Sequence, residues 1–287
     1  MTTAAQKFEL RKEVVERMVK DVALQEYRMK QLCMIVTTDA WKNTYFRESN
    51  TELTGGTGSS VKGIPRLAKF PHGEVQFEEV ADRLVKHGME GIISWEDWQT
   101  NEIDVVVRTV LRVGRAVAKS VDDTIYSALS DNARNTVTIA AGNEWDSATE
   151  TNQDPIQNIL DAIKEIQEDN FDPLGGNGWL LLSPKDFANL AGNEDVKNRS
   201  VFYTDSITRR GQLAMIAGLK TLVSNTVTAD EAIVVIAKQA CTWKQAKALT
   251  TETMIDPGVK YTIRAWEVGV PQVVSPNAIC KISNTQA

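Results

Sequence analysis

The sequence is poor in the residues from which disulfide frameworks, metal sites and membrane spans are built. It contains only three cysteines, Cys33, Cys241 and Cys280, and two histidines among its 287 residues. Because the cysteines are odd in number and far apart, they predict neither a disulfide framework nor a zinc knuckle, and buried thiols in a reducing compartment are favoured. The longest strongly apolar run, 232–237, is far too short to cross a bilayer, and the charged N-terminal residues exclude a signal peptide. These absences predict a soluble protein kept inside a cell, with no membrane partner.

The sequence also lacks an excess of positive charge and the signatures of known catalytic sites. A formal net charge of −6 argues against a protein whose main task is to coat nucleic acid. We interpret His72 and His87 as surface residues, and adjacent carboxylate pairs such as Asp122-Asp123 as exposed. The stretches "GGTGSS" and "LGGNGW" lack the Gly-Lys-Ser/Thr ending of a P-loop and the spacing of a dinucleotide loop. The sequence therefore predicts no catalytic residue, no metal site and no cofactor.

The N-terminal third alternates between helical and extended patterns. Apolar residues from Ala4 to about Val36 have a roughly helical spacing, which predicts an amphipathic helix. The pattern leaves open whether this helix packs on its own domain or docks on another subunit. Residues 46–91 contain a Gly/Ser/Thr patch, short strand-like runs and few core residues. A structureless loop of that length is unusual, so we predict an extended hairpin that buries its apolar side chains against something else.

The segment from Ser94 to Leu129 predicts one unbroken amphipathic helix. Its apolar residues step by three or four along one stripe, and residues 101–129 would span about 40 Å at 1.5 Å per residue. That is longer than expected for a helix inside a compact globule of this size. A second stripe is basic and could face solvent, nucleic acid or acidic groups of a neighbour; it consists of Arg108, Arg112, Arg115 and Lys119.

The remainder has an α/β pattern. "DPIQNILDAIKEIQEDNF" predicts a helix capped by Asp154, and "GWLLLSP" predicts a buried strand leading into a helix that is capped by Ser183 and ends before Gly192. Further strands are predicted in "NTVTIAAG", "LKTLVSN", "EAIVVIAK" and "AICKIS". "ACTWKQAKAL" and "VKYTIRAWEV" predict a long hairpin around Pro257-Gly258. The polar stretch 197–212 predicts an exposed loop.

The order of these elements resembles that of the major capsid proteins of tailed double-stranded DNA viruses, the Hong Kong 97 fold. Three stretches carry the resemblance: "GIISWEDWQTNEIDVVVRTVLRVGRAVAKSVDDTIYSAL", "NGWLLLSPKDFANLAG" and "YTIRAWEVGVPQVVSPNAICKIS". They are similar to that family's entry into its spine helix, its strand into a Ser-Pro helix, and its closing segment. Each is weak alone, but their order and spacing make the resemblance specific over nearly the whole chain.

The resemblance implies an α+β fold with four parts. These are an N-terminal arm (1–45), an extended loop (46–91), a peripheral domain (92–135 and 241–268) built on a spine helix (101–129), and an axial α/β domain (136–240 and 269–287). It also implies that subunit contacts involve basic and aromatic residues of the loop, the spine helix and the axial loop. The candidate residues are Lys62, Arg66, Lys69, Phe70, Arg108, Arg112, Arg115, Arg209 and Arg210.

The implied function is that of a structural protein, the major capsid protein of a virion. Such a chain self-assembles in the host cytoplasm through pentamers and hexamers into an icosahedral shell. The shell encloses double-stranded DNA without sequence-specific binding. Implied partners are a portal and decoration proteins, and a separate scaffold protein is expected because only about 45 residues precede the loop. No cofactor is implied.

Some members of this family join a lysine of the extended loop covalently to an asparagine of the peripheral hairpin. Lys62 and Lys69 could supply the lysine, but the hairpin tip "TTETMIDPG" contains no asparagine. We therefore predict no such cross-link. Boiling in denaturant should give a single band near 31.8 kDa, and a ladder of multimers would contradict the prediction.

Two alternatives stay open on the sequence alone. An encapsulin, which is a shell of the same fold around protein cargo, would be distinguished by the contents of purified shells. A soluble α/β enzyme or ligand-binding module would be a monomer or small oligomer, and a ligand would stabilise it against heat.

Overall fold

The structure, a computed structural model, describes residues 12–48, 62–70, 77–100, 105–147, 153–193, 196 and 215–287. The chain divides into two compact units. The first unit comprises residues 1–41, 83–127 and 243–271, and the second comprises 42–82, 128–242 and 272–287. No helix within the described ranges has both the length and the apolar character needed to span a membrane.

The described helices and strands form a mixed α+β chain. In order, they are α1 (Lys12–Glu26), a 3-10 turn (Met29–Leu32), β1 (Met34–Thr37), β2 (Lys42–Glu48), β3 (Phe77–Arg83), β4 (Val85–Ser94), α2 (Trp95–Thr100), α3 (Val105–Asp131), β5 (Asn135–Thr138), α4 (Pro155–Glu168), β6 (Gly178–Leu182), α5 (Pro184–Gly192), β7 (Met215–Ile216), β8 (Leu219–Val223), β9 (Glu231–Ile236), β10 (Cys241–Asp256), β11 (Lys260–Val273), a second 3-10 turn (Pro276–Ala278) and β12 (Ile279–Ser283).

The first unit is built around a four-stranded sheet with the order β1-β10-β11-β4. β4 and β11 are antiparallel, in a register that runs from Ser94 opposite Lys260 to Val85 opposite Gly269. β10 and β11 are the predicted long hairpin around the Pro257-Gly258 turn, and β10 extends through residues 250–256, which the sequence analysis assigned to the connection.

Helix α3 has the apolar stripe that the spacing predicts. Its buried members are Val106, Val110, Val113, Val117, Val121 and Ile125. The predicted unbroken helix from Ser94 corresponds to α2 and α3, and residues 101–104 between them lie outside the described residues. Gly91 of β4 allows a close approach to α3, because a Cβ atom there would lie 2.3 Å from the Cγ2 of Thr109.

The N-terminal segment differs from its prediction. The sequence analysis extended one helix to about Val36, whereas α1 ends at Glu26 and residues 34–37 form the edge strand β1. The backbone N–H of Thr38 donates to the carbonyl oxygen of Gln245, at 3.0 Å. Pairing with the sheet therefore overrides a helical spacing that is only approximate in this stretch.

The second unit contains a six-stranded mixed sheet with the order β5-β12-β9-β6-β8-β7. β12 lies between β5, to which it is parallel, and β9, to which it is antiparallel. β6 is parallel to β8 and antiparallel to β9. Helix α4 packs on β5, β9 and β12. The sheet's fully buried residues include Leu180, Leu181, Ile233 and Val234, so the core of this unit lies on the central strands.

Local capping signals predict the helices of the second unit well. The side chain of Asp154 accepts from the backbone N–H of Gln157 at 3.0 Å, at the start of α4. Ser183 accepts from the backbone N–H of Asp186 at 3.1 Å, at the start of α5. Gly192, which was expected just past the end of α5, is its last residue.

Candidate subunit interface

The segment 62–70 presents large apolar side chains to solvent. Leu67 is fully exposed at 103 % and Phe70 is 80 % exposed. A turn holds the segment, with the backbone N–H of Ala68 donating to the carbonyl oxygen of Pro65 at 3.0 Å. Leu67 has a φ of 66°, a left-handed conformation that is uncommon for a bulky residue and costs of order 1 kcal/mol. The backbone is thus strained at the residue whose side chain is most exposed.

Strands β2 and β3 form a separate two-stranded sheet among the described residues. Its two phenylalanines, Phe46 and Phe77, are each 59 % exposed, and their rings meet edge to face with centroids 6.5 Å apart. Partial burial raises the pKa of Asp82 on β3, although the charge of Arg47 on β2 opposes the rise. An isolated two-stranded sheet is at best marginally stable in water, so these strands need a further surface.

The predicted basic contact residues lie on two surfaces. Lys62, Arg66 and Lys69 are exposed on the segment 62–70, and Arg108 and Arg112 are exposed on α3. Arg66, Lys69, Arg108 and Arg112 form no ion pair with another residue in the described part of the chain.

Arg115, the third arginine predicted on α3, has a partner within the chain. Its Nε donates to Oε1 of Glu26 at 2.8 Å, in an ion pair that is largely exposed. Arg209 and Arg210 lie outside the described residues, as do His72 and the predicted loop 197–212. The interface assignment of all nine residues stays a prediction.

A second group of exposed apolar side chains lies in the first unit. Met254, Ile255 and Val259 surround the turn between β10 and β11 and are 42 %, 54 % and 64 % exposed. On the edge strand β4, Met89 and Ile92 are 52 % and 63 % exposed. Scattered single apolar residues are ordinary on a surface, but clusters indicate contact with another molecule.

The sequence analysis missed a buried polar cluster in the first unit, which we call the arm anchor. It consists of Tyr27, Arg28 and Lys30 after α1, Asp122 of α3 and Glu267 of β11. Glu267 accepts from the hydroxyl of Tyr27 at 2.5 Å and from the ammonium of Lys30. Asp122 accepts from the backbone N–H groups of Arg28 at 2.7 Å and Lys30 at 3.3 Å. Two buried carboxylates therefore fasten the chain between α1 and β1.

Burial dominates the electrostatics of the arm anchor. Desolvation raises the pKa of Asp122 to about 6, and the backbone N–H groups of the arm oppose that rise. Desolvation also raises the pKa of the Tyr27 phenol, and the negative charge of Glu267 adds to the effect. The prediction that Asp122 is exposed is therefore wrong, since the residue is 3 % exposed.

His87 is also buried rather than on the surface. It is 5 % exposed, and its Nδ1 lies 2.9 Å from the hydroxyl oxygen of Ser120 on α3. Desolvation lowers the pKa of His87, while the charge of Glu267 acts in the opposite direction. Its ring lies 6.1 Å from that of Trp243, so the residue belongs to the core between β4 and α3.

Periodicity contains a signal for both buried carboxylates. Asp122 is four residues after Ala118 and three before Ile125, and both of these neighbours are buried on α3. Glu267 lies at every-second-residue spacing from the buried residues Ile263 and Ala265, on the same face of β11. A carboxylate at an apolar-face position can be buried when hydrogen-bond donors reach it. Here those donors come from distant parts of the chain.

Within the described ranges, no cluster of three or more histidine, cysteine or acidic residues could hold a metal ion. The geometry that stands out is that of contact surfaces, with exposed aromatic and aliphatic side chains on extended elements and the exposed cations Arg66 and Lys69 on the segment 62–70.

Comparison with known proteins agrees with that geometry. Residues 79–282 match the family model described as phage capsid protein, which covers well over half of the chain. No curated protein matches the sequence.

Solved structures share the fold at low sequence identity. The capsid structure of the cyanophage P-SCSP1u has a TM-score of 0.70 and 14 % identity, over 88 % of this chain and 86 % of that one. The bacteriophage PhiM1 mature capsid has a TM-score of 0.64 and 15 % identity, over 90 % and 87 %. A virus-like particle from Pyrococcus furiosus has a TM-score of 0.65 and 12 % identity, over 94 % and 98 %.

These matches confirm the predicted α+β fold of the Hong Kong 97 type. They do not favour the encapsulin alternative over a capsid. The chain belongs to the phage capsid protein family, and it is a major capsid protein, a structural protein of the virion that assembles into multimeric shells.

Proposed function

We propose that this chain self-assembles through pentamers and hexamers into an icosahedral shell that encloses double-stranded DNA. Assembly takes place in the host cytoplasm, with a separate scaffold protein, a portal and decoration proteins as partners. In the assembled subunit, residues 1–45 act as the arm and 46–91 as the extended loop. Residues 92–135 and 241–268 form the peripheral domain, and 136–240 and 269–287 form the axial domain.

The observation that carries this proposal is the surface of the extended loop. Leu67 and Phe70 are almost fully exposed, and among the described residues β2 and β3 form a two-stranded sheet. Full burial of a leucine or phenylalanine side chain contributes roughly 1.5–3 kcal/mol. A loop that lies across a neighbouring subunit gains that free energy. The neighbouring subunit also provides a surface on which β2 and β3 can pack.

The cations support contacts of a second kind. Arg66 and Lys69 on the loop and Arg108 and Arg112 on α3 are exposed, while the chain as a whole carries an acidic excess. Acidic groups of a neighbouring copy are therefore available to pair with them. We assign Arg209 and Arg210 the same role in the axial loop. Ion pairs at the exposed rim of an interface determine how the subunits align and how fast they associate more than how tightly they bind.

A matched pair of variants tests the loop contact. Leu67→Ser and Leu160→Ser make the same change at two exposed leucines, one on the loop and one on α4. We expect Leu67→Ser to reduce the yield of shells, because the leucine is buried only on assembly, while its thermal unfolding is unchanged. Leu160→Ser should assemble like the parent chain.

The assay is light scattering with negative-stain images of the purified protein, alone and with candidate scaffold protein. Megadalton shells, or rings of five and six subunits, support the proposal. A 31.8 kDa monomer that persists with scaffold protein and a crowding agent would refute the proposal. Equal assembly of the two leucine variants would instead refute the role of the loop.

A further inference from the structure

The arm anchor connects three separate parts of the first unit through one short stretch of chain. Arg28 and Lys30 donate their backbone N–H groups to Asp122 on α3, and the hydroxyl of Tyr27 and the ammonium of Lys30 donate to Glu267 on β11. Asp122 has 3 % of its surface exposed and Glu267 has none. If this stretch separates from α3 and β11, both carboxylates become accessible to water.

The two carboxylates differ in their partners. Glu267 accepts from Tyr27, Lys30, Trp243 and Gln245, and its contact with Lys30 is an ion pair. Among the described residues, the donors to Asp122 are backbone N–H groups, which carry no formal charge. Within this part of the chain its negative charge is therefore buried without a cation bonded to it, which is the costlier arrangement.

The ionisable groups around Asp122 come from four elements. Arg28 and Lys30 on the arm and Asp123 on α3 act on Asp122 directly. The charges of Asp122 and of Glu267 on β11 act on Tyr27 of the arm, and His87 on β4 is influenced by Glu267. Asp123 is adjacent in sequence, and its charge disfavours ionisation of Asp122. His87 contacts Ser120 and Trp243 rather than the arm, and the charge of Glu267 also acts on it.

We propose that the stretch 27–30 is a proton-coupled latch, which docks more tightly on α3 and β11 in acid than in base. The latch is a property of the single chain and goes beyond the proposed assembly. The docked carboxyl of Asp122 has a pKa of about 6, against an ordinary value of 3.8. Because the docked form holds its proton more tightly, docking takes up a proton between these two pH values. The docking constant therefore rises as the pH falls below about 6, and the latch opens most readily above it.

The size of the effect follows from the two pKa values. Between pH 8 and pH 5 the docking constant should rise about tenfold, since at pH 5 the docked form is about nine-tenths protonated and the open form is almost fully ionised. The protonated carboxyl keeps its carbonyl oxygen as an acceptor for the arm, so the latch stays closed in acid.

Hydrogen exchange of the Arg28 and Lys30 amides in the full chain tests the latch. The measured rates are divided by the intrinsic rate at each pH to give protection factors. We expect protection about tenfold higher at pH 5 than at pH 8. In Asp122→Asn, which keeps the shape and one acceptor oxygen, the protection should not vary with pH. Asp131→Asn removes a carboxylate from the exposed end of the same helix and should keep the parent slope.

Protection that is equal or lower at pH 5 overturns the proposal, and so does a pH slope that survives in Asp122→Asn. A variant that failed to fold would lose protection throughout the core, including the amides of β9, and this separates misfolding from a lost latch. The measurement reads one chain's amides whether or not shells form, so its failure is distinct from a failure of assembly.

Discussion

Replacement of Glu267 by alanine should destabilise the first unit severely. The side chain is fully buried and accepts four hydrogen bonds, from Tyr27, Lys30, Trp243 and Gln245. Its removal leaves an ammonium that is only 12 % exposed without its counter-charge, and breaking a buried pair on one side costs about 3–5 kcal/mol. The orphaned donors of Tyr27 and Trp243 add to this loss, so we expect at least about 4 kcal/mol.

The assay is urea-induced unfolding of the unassembled protein at fixed concentration, with the tryptophan fluorescence as the signal. Glu90→Ala is the matched control, because Glu90 also lies in this sheet and pairs with Arg264 at 2.6 Å, but that pair is substantially exposed. An exposed pair contributes about 0–1 kcal/mol. If Glu267→Ala loses no more stability than Glu90→Ala, the interpretation of Glu267 as the centre of the arm anchor is wrong. Adding Lys30→Met to Glu267→Ala should recover part of the loss, because the unpaired buried charge is then gone.

Three further predictions concern packing, capping and thiols. Gly91→Ala should cost about 1–3 kcal/mol in urea unfolding, because its Cβ would overlap Thr109, whereas Gly192→Ala, with nothing within 4 Å, should be neutral or slightly stabilising. Ser183→Ala should cost about 1 kcal/mol in the same assay, because it removes the side-chain cap of α5; an unchanged midpoint would contradict that assignment. The native protein should not react with a thiol reagent at pH 8, because all three cysteines are buried, namely Cys33, Cys241 and Cys280. Burial also raises the pKa of Cys280 to about 12. Unfolding in urea should make three thiols reactive. Fast labelling of the native chain would contradict the last prediction.

Features fixed by local chemistry could be predicted from the sequence. The caps of α4 and α5 need only Asp154 and Ser183 at the right distance from an apolar run, and both form the expected bonds. The apolar stripe of α3 follows from its spacing alone. The hairpin of β10 and β11 follows from alternation around Pro257-Gly258, although its full length depends on pairing between the strands.

Features fixed by distant partners could not be predicted. After the first helix ends at Glu26, Arg28 and Tyr27 donate to Asp122 and Glu267, which lie 94 and 240 residues further along the chain. The burial of His87 likewise depends on Ser120 and Trp243. The exposed apolar side chains of the loop were anticipated as a class, because 46–91 holds too few core residues to fold on itself. Which of them are most exposed depends on turns such as the one at Leu67.

The position of β12 has a consequence for synthesis of the chain. This strand is the last of the six along the sequence, yet it lies between β5 and β9, which are separated by almost a hundred residues. A nascent chain therefore cannot close this sheet until residue 283 has left the ribosome, and until then the edges of β5 and β9 remain unpaired. Unpaired edges of this kind favour aggregation. Chains truncated before residue 279 should accordingly be found in the insoluble fraction.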